Sequence, residues 1–269
     1  MPVLDEFWIL KGSTQIFRDS FNDGVLPPSG PDDGLFNPTT YSVFGPGGMT
    51  SESAGKLTLT PSLGAPTVIT TTFADVATDG VRLQSTVPGN PNFLGVANSF
   101  EIHGLFDMSS LPTISGQSFG IRATDRATGI GNEGDNTYLI FVGMSNITGD
   151  VTVFLRQLDF VNDLSPILAS VSIQSLLTGA DQIELILAKA ANSNLLSASY
   201  RLYDYDLSGD PIVSQGGLGE LYALYNNEDY IRAQFSTTDR IPVPEPGTLA
   251  LLGLGLAAAY FVRRRRTST

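Results

Sequence analysis

From Lys56 to Thr237 apolar and polar residues alternate with a period of two in one window after another. The windows are Lys56–Thr60 (KLTLT), Ser99–Phe106 (SFEIHGLF), Gln117–Thr124 (QSFGIRAT), Asp150–Phe160 (DVTVFLRQLDF), Asp181–Ala188 (DQIELILA), Ser197–Asp206 (SASYRLYDYD) and Tyr230–Thr237 (YIRAQFST). Such alternation sends one set of side chains to a core and the other to water, so each window predicts a strand. Thr137–Met144 (TYLIFVGM) is continuously apolar and predicts a central strand covered on both faces. Turn signals separate the windows: Pro27–Gly34, Gly45–Gly48, Pro88–Asn92, Gly129–Asn136 and Leu207–Pro211 are rich in Gly, Pro, Asn and Asp. Ser172–Leu177 and Gly219–Glu228 each predict a short helix. Many short strands at roughly ten-residue spacing predict an all-β chain, an antiparallel sandwich or jelly roll. The sandwich is expected over residues 13–240, behind an N-terminal segment of residues 1–12.

The tail breaks this pattern. Pro242, Pro244 and Pro246 fix φ and remove backbone donors, so residues 241–246 read as an extended spacer. Residues 247–269 read as one hydrophobic helix with a basic end. Gly247–Val262 carries no charge and would be roughly 24 Å long as a helix, against a hydrocarbon core of about 30 Å. Arg263, Arg264, Arg265 and Arg266 follow at once and favour a cytoplasmic C-terminus, with the acidic domain across the membrane. A buried core helix fits less well, because Leu249–Val262 has no polar face. A permanent single-span anchor stays open on these physical grounds.

Charge narrows the range of partners. The 269 residues carry a formal net charge of −12 even with the four terminal arginines included. With no basic patch upstream, the surface repels nucleic acid and anionic lipid. The absence of cysteine excludes disulfides and thiolate metal sites. Asp5 and Glu6 precede a short apolar stretch, Phe7–Leu10, so the first residues lack the basic region, apolar run and cleavage site of a secretory signal.

The order Pro244-Glu245-Pro246, apolar Thr248–Val262 and Arg263–Arg266 at the chain's extreme end resembles a PEP-CTERM sorting signal. The resemblance covers about the last 25 residues. It implies export from a Gram-negative cell, transient holding in the inner membrane, and recognition by an exosortase, a membrane-embedded transpeptidase-like protease. Processing near Pro244–Pro246 would then send the domain to the cell surface or extracellular matrix, a setting associated with exopolysaccharide and biofilm. Proteins of this kind carry an N-terminal signal peptide, so the resemblance also implies a start upstream of Met1. In the body, Phe17–Pro28 (FRDSFNDGVLPP) followed by Ser51–Pro61 (SESAGKLTLTP) resembles the opening of concanavalin A-like lectin/glucanase sandwiches.

Glucanases of that kind imply an E-x-D-x-x-E strand, and this spacing is absent. Glu101 and Asp107 share a face but stand six apart, and Asp181 and Glu184 fall on opposite faces. His103, the only histidine, has no G-x-S-x-G elbow beside it and is expected on a strand facing turns or solvent. Asp204, Asp206 and Ser208 match the first half of a calcium loop, although Gln215 stands where a bidentate Glu is wanted; a plain hairpin turn explains them as well. Asp125, Asn132, Glu133, Asp135 and Asn136 form a second oxygen-rich loop. Tyr203 and Tyr205 share a strand face and suit stacking on a pyranose ring, with core packing as the competing explanation. The expected function is a non-catalytic, exported surface or matrix protein that binds carbohydrate. An envelope glycoside hydrolase with an unrecognised site is the alternative.

Overall fold

The computed structural model describes residues 2–22, 41–44, 49–60, 77–84, 98–113, 117–126, 136–145, 147–159, 166–193, 195–206, 211–222 and 230–239. The spacer, the hydrophobic helix expected over 247–269 and the turn residues 129–135 lie outside them. Among the described residues the chain is nearly all strand. In order these are β1 (Val3–Lys11), β2 (Thr14–Asp19), β3 (Tyr41–Phe44), β4 (Met49–Glu52), β5 (Leu57–Thr60), β6 (Ala77–Gln84), β7 (Phe100–Asp107) and β8 (Gln117–Arg126). They continue as β9 (Asn136–Met144), β10 (Val151–Asp159), β11 (Ile167–Ser172), β12 (Gln182–Lys189), β13 (Leu195–Tyr203), β14 (Ile212–Tyr222) and β15 (Tyr230–Asp239).

All pairings among these strands are antiparallel. One sheet runs β14-β13-β12-β7-β1-β5-β4, with β2 also on β1; the other runs β11-β10-β9-β8-β15-β6-β3. Their inner faces share one apolar core, where Phe7 of β1 meets Phe235 of β15 edge-on at 5.1 Å and Phe106 of β7 meets Phe119 of β8 at 4.9 Å. Each such buried ring contributes roughly 1.5–3 kcal/mol through removal of apolar surface from water. Gly104 lets the sheets close at this point, because a Cβ there would stand 2.6 Å from the Ile121 side chain. The apolar reading of Thr137–Met144 holds for Tyr138–Val142, which are buried on both faces of β9.

Two expectations change. Residues 3–11 do not form a segment ahead of the sandwich: β1 lies inside the first sheet, against β7 on one side and β2 and β5 on the other. A register shift between Leu4 and Glu6 breaks its alternation and hides it from a period-two reading. The hairpin to β2 turns on Gly12 and Ser13, with Gly12 at φ +61°, a backbone that L side chains rarely adopt. The helix expected from Gly219 is also replaced, since Gly219–Tyr222 continue β14 along β13. The first expected short helix survives as a single 3-10 turn, Gln174–Leu176.

Candidate functional site

Alternation leaves one face of the first sheet outside the core. From β1 it presents Glu6 and Trp8, from β7 Glu101, His103 and Asp107, from β12 Gln182 and Glu184, and from β13 Arg201 and Tyr203. Cross-strand register sets Trp8 opposite His103 and Glu184 opposite Arg201. Neighbouring strands in a sheet place such side chains within contact distance.

His103 is the centre of this face, and it does not face turns or solvent. Only 3% of it is exposed. The Trp8 ring stacks on it at 4.7 Å and 10°. Its Nδ1 lies 2.7 Å from Glu184 Oε1 and its Nε2 lies 3.0 Å from Glu101 Oε2. An ionised carboxylate can only accept, so with both glutamates ionised both ring nitrogens donate.

Glu184 is 2% exposed, and each of its oxygens is engaged. Oε1 faces His103; Oε2 accepts from the Tyr203 hydroxyl at 2.5 Å and from Arg201 Nη1 at 3.1 Å. Burial by itself would raise this carboxyl. Hydrogen bonds from His103 and Tyr203, with the charges of His103 and Arg201, outweigh burial and hold it below the usual glutamate range. The Tyr203 hydroxyl is pushed up to about 12, by burial first and then by its bond to Glu184 and that carboxylate's charge. It remains a donor throughout the neutral range.

A second group sits beside the first. Gln182 Nε2 donates to Asp5 Oδ2 at 2.5 Å, and Lys56 Nζ lies 2.6 Å from Asp107 and 3.4 Å from Asp5. Asp5 is raised because burial exceeds the help from Gln182 and Lys56. Asp107 is lowered, since bonds from Lys56 and Ser109 overcome burial. Glu6 pairs with Arg18.

The predicted tyrosine pair stands at the end of β13. The Tyr203 and Tyr205 rings are parallel within 4° with centroids 5.9 Å apart. Tyr203 is half-buried, whereas Tyr205 is 55% exposed. The Tyr205 N–H donates to Asp181 Oδ2 at 2.7 Å. Asp204 Oδ1 accepts from the Asp206 N–H at 3.0 Å, and the Asp204 N–H donates to the Pro211 carbonyl. Asp204 thus caps its own turn, the arrangement Asp adopts for backbone reasons. Ser208 of the expected calcium loop lies outside the described residues, as do Asn132, Glu133 and Asp135 of the second oxygen-rich loop. Among the described residues no group of three or more His, Asp or Glu side chains converges as metal ligands.

The sequence spacing brings the Tyr203 and Tyr205 rings side by side, whereas no single strand reveals the grouping of Glu101, His103 and Glu184. Glu101 and His103 are two apart on one face, a legible signal; Glu184 joins them only through the pairing of β7 with β12.

Residues 242–266 match the PEP-CTERM protein-sorting motif. That motif implies export, anchoring in the membrane before processing, and recognition by an exosortase. The matched segment contains Pro244, Glu245 and Pro246 as well as Arg263–Arg266, and all of it lies outside the described residues. Among the described residues no helix is long and apolar enough to cross a membrane. No curated protein matches the chain. A solved structure, the CBM2 module of Lactobacillus casei BL23 phage J-1 evolved Dit, is similar at 11% identity and a TM-score of 0.34, covering 90% of this chain and 99% of that one.

Proposed function

We propose that the chain is a surface or extracellular-matrix protein, held in the inner membrane by its tail until an exosortase processes it, whose sandwich binds carbohydrate without catalysis. The observation that carries the sorting part is the motif over residues 242–266. Its apolar span holds the chain, Arg263–Arg266 stop transfer on the cytoplasmic side, and the Pro-Glu-Pro marks where processing falls. The final setting in this reading is an exopolysaccharide matrix. Carbohydrate binding draws support from the outer face of the first sheet, where an exposed Tyr205 parallels Tyr203 and a half-exposed Trp8 lies among hydrogen-bonding side chains. The non-catalytic reading draws support from Glu184. A general acid or nucleophile must reach the sugar, and this carboxylate is buried with both oxygens bonded.

The test follows the tagged full chain, led by a signal peptide, in an exosortase-positive host and in the same host with the enzyme deleted. We expect a shortened, released form only in the first. Alanine at Pro244, Glu245 and Pro246 should leave the precursor in the membrane of both hosts. Equal processing in the two hosts would sink the sorting mechanism.

A further inference from the structure

We propose that the rim of this face around Tyr205 binds a glycan bearing free amino groups, a polymer of cationic hexosamine units. This inference rests on the carbohydrate-binding reading and narrows its ligand. The argument begins with the ring. Tyr205 is the exposed member of a parallel tyrosine pair, so a flat apolar surface of the size of a pyranose stands open to solvent. Its backbone is tied to Asp181 Oδ2 at 2.7 Å, which holds a carboxylate beside the ring's base.

Charge then selects the sugar. The fixed cations of the face are engaged: Arg201 with Glu184, Lys56 with Asp107 and Asp5, Arg18 with Glu6. Among the described residues exposed Asp181 pairs with no cation. The Tyr205 hydroxyl is pushed up, by burial first and then by the charges of Asp5, Glu184, Asp181 and Glu6; the first two and the last have a cation beside them, so among the described residues Asp181, at the ring's base, carries the uncompensated charge. A sugar ammonium gains twice there, from the ring face and from the negative field, whereas a uronic acid is repelled. A neutral sugar could use the ring alone.

The experiment is isothermal titration of the full chain, kept in a polyoxyethylene detergent that carries no sugar, with three probes. These are a glucosamine hexamer, its fully N-acetylated counterpart, and hexalysine. The proposal expects the glucosamine hexamer to bind about tenfold tighter than the acetylated one, with affinity falling as salt rises. Tyr205→Ala should cost about tenfold and Tyr205→Phe less than about twofold, because the ring is what stacks. Asp181→Asn keeps the acceptor for the Tyr205 N–H but removes the charge, and should cost about threefold. Equal binding of the two hexamers, both lost in Tyr205→Ala, would overturn the amino-group inference and leave carbohydrate binding standing. Failure of both hexamers and of a panel of neutral and acidic glycans would remove the carbohydrate reading itself. Hexalysine binding as tightly as the glucosamine hexamer, unchanged in Tyr205→Ala, would overturn the proposal in favour of an acidic peptide-binding patch.

Discussion

The two sheets share a core, and each also buries a patch on its outward face, one centred on aromatic and aliphatic side chains and the other on hydrogen-bonded polar groups. On the second sheet, Leu139 and Phe141 of β9 are buried outside that core, beside buried Arg122 of β8 and with the Phe154 ring of β10 at 6.1 Å from Phe141. Gly143 makes the room, because a Cβ there would stand 2.7 Å from the Phe154 ring. On the first sheet the buried polar side chains are His103 and Glu184, held by hydrogen bonds under Trp8 and Tyr203, with Ile186 buried beside them. Apolar burial stabilises whatever the protonation state. A buried polar network is stable only while every member keeps its partner, so its strength depends on pH.

The largest expected effect therefore lies in the apolar cluster around Phe141. Phe141→Ala should cost about 3 kcal/mol in denaturant unfolding, by the same amount at pH 7 and at pH 4. A loss under about 1 kcal/mol, or one that changes with pH, would break the contrast.

Glu184→Gln comes next, at about 2 kcal/mol at neutral pH, because a charged acceptor of three donors is replaced by a neutral amide. The folded carboxyl titrates below its unfolded value. Its contribution is thus complete above the unfolded value of about 4.3 and is lost as pH falls through the folded one. The difference between wild type and variant should shrink steadily in that acidic window. A difference that grows on acidification would contradict the assignment of Glu184 as the ionised hub.

Tyr203→Phe should have the smallest effect, about 1 kcal/mol, through loss of one hydrogen bond to Glu184 while the ring remains parallel to Tyr205. Paired with Glu184→Gln it should cost less than the two single losses added, as members of one network do. Additive losses would separate the tyrosine from the hub.

The difference between the faces also explains what could be seen in the sequence. Strands β7, β12 and β13 were legible because every second residue of Phe100–Asp107, Gln182–Lys189 and Leu195–Tyr203 is buried, although β13 alone alternates throughout. Strand β1 was not, because its bulge at Asp5 shifts Phe7 and Ile9 out of phase with Leu4. Tyr203 and Tyr205 were legible as a pair two residues apart, although β13 ends at Tyr203 and Tyr205 stands in the turn beyond it. The Glu101–His103–Glu184 group was not, because the register joining β7 to β12 across 81 residues is fixed by tertiary pairing. A lone histidine among acidic residues reads as a surface residue until the ring of Trp8 is known to cover it.

The pairing scheme has a consequence for the order of events during export. Trp8 of β1 waits for His103, and β15, which ends at Asp239, closes the second sheet by joining β8 to β6. Contacts so far apart along the chain form late and slowly. A chain that emerges with its first residues leading cannot complete either sheet until its later strands follow. The closing strand arrives just ahead of Pro242, and the sorting segment follows at once. Completion of the fold and the sorting motif thus lie next to each other along the chain.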